Sequence, residues 1–307
     1  MSIPTRPFGR HANQSVSILA LGGYHLGLVK STRASVRLVQ AAIDAGITFM
    51  DNAWEYHEHE SEMRMGRALA DRRDRVFLMT KVCTHGRDAK VAMRQLHESL
   101  KRLRTDYLDL WQVHECVYES DPDRTFAKGG VIEALDRAKR EGKVRFVGFT
   151  GHKSPEIHLR MLSFGYPFDS CQMPLNVFDA TFRSFEQRVL PEVMRQGIAP
   201  LGMKSLCGSG DMVKKGVIRV KDALRYAMSL PVSTTVSGID SMRVLEQNVR
   251  IGSRFEPMTR AELDRLRFRM TKFAADGRFE LFKTTAKHEG EEGRAQHDFP
   301  PQDELAG

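Results

Sequence analysis

The stretch GVIEALDRAKREGKVRFVGFT, residues 130–150, reads as one helix followed by one strand. Over residues 130–141, apolar side chains recur at helical spacing with charged residues of both signs between them. Gly142 lies where this helix should end, and the apolar run 144–150 that follows is typical of a buried strand. A helix that leads directly into a buried strand is the repeating unit of proteins built on a parallel β-sheet.

The same unit is repeated along the chain. Eight apolar runs are predicted to be strands: residues 18–22, 47–51, 76–81, 107–114, 144–150, 169–173, 198–203 and 232–238. Amphipathic stretches of helical length separate many of them, at residues 32–45, 90–103, 130–141, 182–196 and 221–230. The strands are continuously apolar, as expected where helices cover a parallel sheet. Eight such units over about 250 residues predict an α/β protein with a single-domain (β/α)8 TIM barrel.

The segments outside the eight units are short. Residues 5–17 are expected to form a hairpin that plugs the barrel floor, and residues 259–273 an extra helix that begins with a capping box. The tail, residues 284–307, is polar and is expected to be flexible or to act as a lid. We therefore predict one barrel domain over residues 1–283, followed by this tail.

Composition limits the classes of protein that the chain can belong to. It has 307 residues, of which 41% are hydrophobic and 28% charged, which excludes a mostly disordered protein. No apolar run approaches the roughly 20 residues that span a bilayer, and no apolar core follows the basic N-terminal residues. We therefore expect no secretory signal and a cytoplasmic protein without a membrane partner. The net charge is +8, but both signs alternate on predicted helix faces, so we expect no nucleic-acid partner.

The four cysteines lie far apart and form no CxxC pair. This spacing argues against a structural zinc site, an iron–sulfur cluster and a disulfide scaffold, and we expect no metal.

Polar residues cluster at three consecutive strand ends, and in a TIM barrel such positions face the active site. Asp51 ends the second strand and is followed by Tyr56, Lys81 ends the third strand, and His114 ends the fourth. A buried aspartate and lysine are costly unless they pair. Paired with Asp51, the Lys81 ammonium is expected to lower the pKa of Tyr56 from about 10 and make it a general acid for a carbonyl oxygen. His114 offers that oxygen a second hydrogen bond.

Each of these residues also has a structural interpretation. Taken alone, Lys81 could form an ordinary structural ion pair. His114 could be a hydrogen-bonded core residue, and Trp54 could simply pack within its loop. Their coincidence on consecutive strand ends favours a proton-donating site.

The chain resembles the aldo-keto reductases from about residue 8 to residue 248. FMDNAWEY, residues 49–56, is similar to the Asp-x-Ala-x-x-Tyr block of that family, and the Thr–Lys pair ending at Lys81 ends the next strand as in the family. LRTDYLDLWQVH, residues 103–114, resembles its helix-then-strand signature. The resemblance implies that Asp51, Tyr56, Lys81 and His114 form a catalytic tetrad.

The resemblance also implies a nicotinamide cofactor that lies extended across the barrel mouth without a Rossmann glycine motif. The residues expected to contact it are Gly23, Tyr24, Asp51, Thr150, Gln172, Met203, Lys204, Leu206, Gly208, Ser209, Gly238, Gln247 and Asn248. Met203 stands where the family commonly has an aromatic residue stacked on the nicotinamide. Val244 stands where an arginine often binds the 2′-phosphate, so the expectation of NADP(H) rather than NAD(H) rests on family habit and basic charge.

The expected function is reduction of an aldehyde or ketone by NAD(P)H, with Tyr24, Trp54 and Glu115 lining the substrate pocket. Two alternatives stay open: a non-catalytic, cofactor-binding subunit of a larger assembly, and a lyase that uses Lys81 as a Schiff-base nucleophile. The sequence leaves the physiological substrate and the oligomeric state open.

Overall fold

Eight parallel strands close into a barrel, which confirms the fold predicted from the alternating pattern. The structure is a computed structural model and describes residues 2–305. The barrel strands are β3 (Leu19–Gly22), β4 (Phe49–Asp51), β5 (Phe77–Val82), β6 (Leu108–Val113), β7 (Val144–Thr150), β8 (Ser170–Pro174), β9 (Ala199–Met203) and β10 (Thr234–Gly238). Each strand pairs with the next in chain order, and β10 returns to pair with β3.

The N-terminal hairpin lies beneath this barrel, as predicted. It consists of the antiparallel strands β1 (Thr5–Phe8) and β2 (His11–Ser17). The Phe8 side chain is fully buried and packs against Phe77, which begins β5, with ring centroids 4.9 Å apart. The hairpin therefore fills the floor of the barrel, and the opposite end, where the strands finish, forms the mouth.

Helices surround the barrel. They are α1 (Gly23–Gly27), α2 (Thr32–Asp44), α3 (Glu60–Ala68), α4 (Ala89–Leu103), α5 (Asp121–Phe126), α6 (Val131–Arg140), α7 (Pro155–Ser163), α8 (Phe185–Arg188), α9 (Leu190–Arg195), α10 (Asp211–Lys214), α11 (Val220–Ser229), α12 (Met242–Ser253), α13 (Arg260–Ala274), α14 (Leu281–Thr284) and α15 (Glu291–Ala295), with 3-10 turns at Arg73–Arg75 and Gln302–Glu304. Among the helices of the described residues, none combines the length and the apolar character that a membrane span requires.

The helix predicted over residues 182–196 is wrong, because two short helices, α8 and α9, replace it. Pro191 occupies the first turn of α9 and has no backbone N–H to continue a helix from α8. The Asp179 carboxylate accepts hydrogen bonds from the backbone N–H groups of Phe185 and Glu186, so α8 has its own N-terminal cap.

The extra helix α13 is present and begins with the predicted capping box. The Thr259 hydroxyl accepts a hydrogen bond from the Glu262 N–H at 3.2 Å, and the Glu262 carboxylate accepts one from the Thr259 N–H at 2.7 Å.

We expect Thr259→Ala to lower the free energy of unfolding by about 1 kcal/mol, because the first turn of α13 loses its cap. Urea denaturation followed by circular dichroism measures this change. Thr271→Ala, an exposed substitution inside the same helix, is the control. An equal loss in both variants would contradict a capping role for Thr259.

The polar tail is folded as far as it is described. Residues 284–305 include α15 and lie against the barrel mouth, where Lys153 donates hydrogen bonds to the Thr285 carbonyl at 2.8 Å and to Glu289 at 2.6 Å. Residue 1 of the predicted domain and residues 306–307 of the predicted tail lie outside the described residues. A role of the tail as a lid stays a prediction.

Candidate active site

The structure brings Asp51, Tyr56, Lys81 and His114 together at the mouth. Asp51 is the last residue of β4, Lys81 lies near the end of β5, and His114 directly follows β6. Tyr56 lies in the loop after β4. Because parallel strands finish at the same end of a barrel, strand ends far apart in sequence place their side chains around one opening.

Lys81 is the centre of this group. Its ammonium is almost fully buried and donates hydrogen bonds to Asp51 Oδ1 at 2.6 Å, to the Asn52 carbonyl at 2.7 Å and to the Tyr56 hydroxyl at 3.3 Å. These bonds use all three ammonium protons. The buried charge of Lys81 is therefore balanced by a carboxylate, and each of its protons has an acceptor. These bonds hold the ammonium next to the tyrosine oxygen.

The expected lowering of the Tyr56 pKa is wrong for this arrangement of charges. Burial and the carboxylates of Asp51, Glu55 and Glu115 raise the pKa of Tyr56 well above its ordinary value. The Lys81 ammonium, 3.3 Å from the hydroxyl, does not outweigh these effects. Tyr56 therefore holds its proton at neutral pH, which is the protonation state that a general acid requires.

His114 lies on the other side of the tyrosine. Its ring meets the Tyr56 ring edge-on, with centroids 5.6 Å apart. Its Nδ1 lies 2.6 Å from a carboxylate oxygen of Glu55, although the two atoms are not aligned as a hydrogen bond. Burial, together with the nearby Lys81 ammonium, lowers the pKa of His114 to about 3, against the opposing effect of Glu115. At neutral pH its imidazole is uncharged and suited to orienting a polar group rather than to giving up a proton.

Gln172, Thr150 and Met203 lie on the side of the mouth formed by β7, β8 and β9. Gln172 Nε2 donates a hydrogen bond to Asp51 Oδ2 at 2.8 Å, which fixes its amide. Its buried Oε1 accepts no hydrogen bond from any residue within 2–305. The Thr150 hydroxyl lies 4.0 Å from the Met203 sulfur. A free carbonyl, a hydroxyl and a thioether therefore face one region of the mouth.

The expected cofactor residues of β10 and α12 differ in burial. Asn248, in α12, donates to the Ser237 hydroxyl at 3.0 Å, and its buried Oδ1 has no partner in the described part of the chain. Gln247 is exposed. Gly238 packs so closely on His25 that a Cβ would come within 2.4 Å of the imidazole, so no side chain fits there.

Near α1, Gly23 is equally crowded, since its Cβ would lie 2.6 Å from the Asp51 carbonyl. This close contact places the start of α1 directly against the end of β4.

The loop after β9 carries four residues that are expected to contact the cofactor, Lys204, Leu206, Gly208 and Ser209. Lys204 turns inward, with its ammonium 5.0 Å from the centroid of the Phe282 ring. Burial and the charge of Lys81 lower the pKa of Lys204 to about 8, opposed by Glu115. Gly208 and Ser209 form an exposed turn beyond the partly buried Leu206.

The three predicted substrate residues have different positions. Tyr24 is 51% exposed and meets the Tyr56 ring edge-on at 5.5 Å, so it borders the opening above the hydroxyl. Trp54 points to α4, where its indole N–H donates to Glu98 at 2.8 Å. Glu115 is buried, and its carboxylate accepts a hydrogen bond from the Gly290 N–H of the tail at 2.8 Å.

Three residues at the mouth were missed from the sequence: Asn52, Glu55 and His85. Glu55 directly precedes Tyr56, and His85 lies four residues after Lys81, so proximity to the strand ends was a usable signal for both. The tail was expected to be flexible or to act as a lid, but no motif indicated which of its residues contact the mouth.

Comparisons with known proteins agree with this fold. A profile of the Aldo/keto reductase family matches residues 18–219. The aldo-keto reductase YhdN of Bacillus subtilis is 31% identical over 200 residues, an alignment that covers 61% of this chain and 56% of that protein. The 6-dehydroglucose reductase of Novosphingobium aromaticivorans is 30% identical over 246 residues, covering 74% and 78% of the two chains. An aldo/keto reductase from Klebsiella pneumoniae, solved with NADP and acetate, has the same fold, with a TM-score of 0.69 at 23% identity over 89% of this chain and 96% of that one.

Proposed function

Because this chain belongs to the aldo/keto reductase family, whose members are oxidoreductases acting on carbonyl compounds, we propose that it reduces an aldehyde or ketone with NAD(P)H. Tyr56 is the general acid, Lys81 and Asp51 hold it in place, and His114 orients the carbonyl. One observation carries this proposal: a single buried ammonium bonds both the Asp51 carboxylate and the Tyr56 hydroxyl at the barrel mouth.

The proton transfer follows from the charges around Tyr56. A carbonyl oxygen that receives a hydride on its carbon becomes an alkoxide, which is more basic than a phenol. The neutral Tyr56 hydroxyl can then give its proton to that oxygen. The Lys81 ammonium, 3.3 Å away, stabilises the negative charge that appears on Tyr56 as the proton leaves. His114, uncharged at neutral pH, supplies a hydrogen bond to the same oxygen.

The residues at the mouth fit a nicotinamide cofactor. When bound, this cofactor supplies the hydride. Gln172 Oε1 and Asn248 Oδ1 are buried acceptors without partners among residues 2–305, and an unsatisfied buried acceptor is costly unless a ligand donates to it. We infer that Gln172 and Thr150 hold the carboxamide, that Met203 covers the ring and that Asn248 receives the adenine.

NADP(H) is the proposed cofactor in preference to NAD(H). The basic chain, with a net charge of +8, suits the more anionic of the two. The presence of NADP in the Klebsiella pneumoniae relative points the same way. Arg243, next to Val244 at the start of α12, is the nearest arginine in sequence to the position where the family often binds the 2′-phosphate.

We expect Asn248→Ala to weaken NADPH binding by about two- to tenfold, the value of one neutral hydrogen bond. Quenching of protein fluorescence by NADPH measures the dissociation constant. Glu246→Ala, an exposed substitution on the same helix, is the matched control and should bind as the wild type does. Unchanged affinity in Asn248→Ala would remove this residue from the proposed cofactor site.

The tail is proposed to form one wall of the carbonyl pocket and to act as its lid. Glu115 and Lys153 both bind the segment around residues 289–290, so access to Tyr56 from this side requires the segment to move. Glu115 lines the pocket on this side, where its carboxylate is bound to the tail. The Trp54 side chain points away from the pocket, so only the backbone of its loop can line it.

The contacts of Lys81 favour reduction over the lyase alternative. A Schiff base requires a neutral amine with a free path to the substrate. Here the ammonium is buried and donates three hydrogen bonds, one of them to a carboxylate 2.6 Å away.

Fluorescence titration with NADPH and NADH, followed by a panel of aldehydes and ketones with the preferred cofactor, tests the proposal. We expect tight binding of NADPH and a carbonyl-dependent loss of reduced-nicotinamide absorbance. Tight binding without turnover across the panel would instead support a cofactor-binding subunit. A borohydride-trapped substrate adduct on Lys81 would support a lyase.

A further inference from the structure

A second group of reactive side chains adjoins the tetrad, and its thiol and one of its imidazoles have no part in the proposed reduction. Cys83 and His85 follow β5, and Glu55 reaches them from the loop after β4. One donor atom from each of the three lies within 4.8 Å of the other two. The Cys83 sulfur is 3.3 Å from His85 Nε2, which is in turn 3.6 Å from Glu115 Oε2. A thiol, an imidazole and two carboxylates therefore converge on one buried volume.

The backbone that carries these donors is fixed before any ligand arrives. Gln95 of α4 accepts a hydrogen bond from the Cys83 N–H at 2.9 Å and donates one to the Cys83 carbonyl at 3.0 Å. The buried Arg87 guanidinium donates to the Thr84 carbonyl at 3.1 Å and to the Glu115 carbonyl at 2.8 Å. Gln95 and Arg87 therefore hold both loops in place without belonging to the cluster. Residues that fix the ligands from outside in this way are a usual feature of binding sites.

Two polar atoms of this cluster lack hydrogen-bond partners. His85 Nδ1 and Glu55 Oε2 are buried and have none among residues 2–305. His114 Nδ1, in a residue more than nine-tenths buried, points at Glu55 from 2.6 Å without forming a hydrogen bond to any described residue. A divalent ion bound here would neutralise the carboxylates of Glu55 and Glu115.

We propose that Glu55, Cys83 and His85 bind one divalent transition-metal ion of the zinc class, with Glu115 as the fourth ligand. Thiolate, imidazole and carboxylate are the ligands that Zn²⁺ takes in four-coordinate sites, at about 2.0–2.3 Å each. Glu55, Cys83 and His85 each have one donor atom within 4.8 Å of the other two, and Glu115 Oε2 lies 3.6 Å from His85 Nε2, so one ion can reach all four. Binding releases the Cys83 proton, and any proton held by the two carboxyl groups, to solvent. No electron is transferred.

This proposal departs from the sequence expectation of no metal. That expectation rested on the absence of paired cysteines, which is the usual sign of a structural zinc site. Here the proposed ligands come from three different loops and include a single cysteine. The sequence therefore contains no recognisable metal-binding motif at this site. Because Glu55 also faces His114, the ion and the proposed reductase site share one carboxylate.

Equilibrium dialysis of the reduced, cofactor-free full chain against ZnCl₂, together with absorption spectra in CoCl₂, tests the site. We expect one ion per chain and, with Co²⁺, a thiolate-to-metal charge-transfer band. Cys83→Ser should abolish that band, and His85→Gln should weaken Zn²⁺ binding by about tenfold or more. Cys171→Ser removes a buried thiol from β8, outside the cluster, and should bind both ions as the wild type does.

Metal binding is measured here without any assay of reductase activity. The result can therefore be interpreted even if the reductase proposal fails. Melting temperatures of the metal-free variants, compared with the wild type, show whether each one folds. If Cys83→Ser is unfolded, the folded His85→Gln variant decides the matter alone. Absence of stoichiometric binding, wild-type affinity in His85→Gln, or bound Co²⁺ without a charge-transfer band would overturn the proposal, and the last result would assign the ion to Glu55, His114 and Glu115 instead.

Discussion

Replacing Tyr56 by phenylalanine is expected to lower kcat/KM for carbonyl reduction by about 10²- to 10⁴-fold, the usual contribution of a general acid. The substitution removes only the hydroxyl that lies 3.3 Å from the Lys81 ammonium. Lys81 keeps its bonds to Asp51 and to the Asn52 carbonyl, so the fold and the ion pair should persist. NADPH affinity should therefore stay close to that of the wild type. Steady-state kinetics and a fluorescence titration on the same preparation measure both quantities.

Tyr166→Phe is the matched control for this experiment. It also removes one partly buried tyrosine hydroxyl, which here donates a hydrogen bond to Asp136 of α6 at 2.7 Å. Its kcat/KM should stay near the wild-type value. Wild-type rates in Tyr56→Phe on every carbonyl that the parent reduces would show that another group donates the proton.

The largest loss of stability is expected from Lys283→Met. The Lys283 ammonium is fully buried and donates to Asp179 Oδ1 at 2.6 Å, to Glu280 Oε2 at 2.8 Å and to the Phe182 carbonyl at 2.8 Å. Removing it leaves two buried carboxyl groups without a counter-charge. Breaking a buried ion pair in this way costs about 3–5 kcal/mol. Chemical denaturation at pH 8 measures the loss.

The loss in Lys283→Met should also depend on pH. Burial raises the pKa of Glu280 to about 7 even with Lys283 beside it, and also raises that of Asp179. Without the ammonium both values rise further in the folded state, so folding takes up protons and stability falls as the pH rises above the pKa values of the unfolded chain. The variant should therefore be closer to the wild type at pH 6 than at pH 8. Lys287→Met, an exposed neighbour, should show no such dependence; an identical loss at both pH values in Lys283→Met would contradict the buried-charge explanation.

The barrel and the positions of the tetrad could be predicted because they depend on local patterns. Every strand boundary lies within two residues of its apolar run, since a strand covered by helices is apolar along its whole length. Strand ends then determine the mouth, so placing Lys81 and His114 on consecutive strands was sufficient to predict that they meet.

Other features depend on contacts that no local pattern records. Trp54 follows Ala53 in the mouth loop, but its indole turns outward because Glu98, 44 residues later, offers an acceptor. The polar tail folds over the mouth because Gly293 leaves room for the His85 ring, where a Cβ would come within 2.5 Å. The direction of the Tyr56 pKa shift depends on burial and on three carboxylates from two chain segments, and the sequence had suggested only the effect of Lys81.

A crystal structure with NADP⁺ and a small carbonyl compound bound at the mouth tests the central claim most directly. The account predicts that the carbonyl oxygen lies about 3 Å from both the Tyr56 hydroxyl and the His114 imidazole, with the Lys81 ammonium still bonded to Asp51. A carbonyl oxygen held away from Tyr56, or a covalent bond between the ligand carbon and the Lys81 nitrogen, would contradict it.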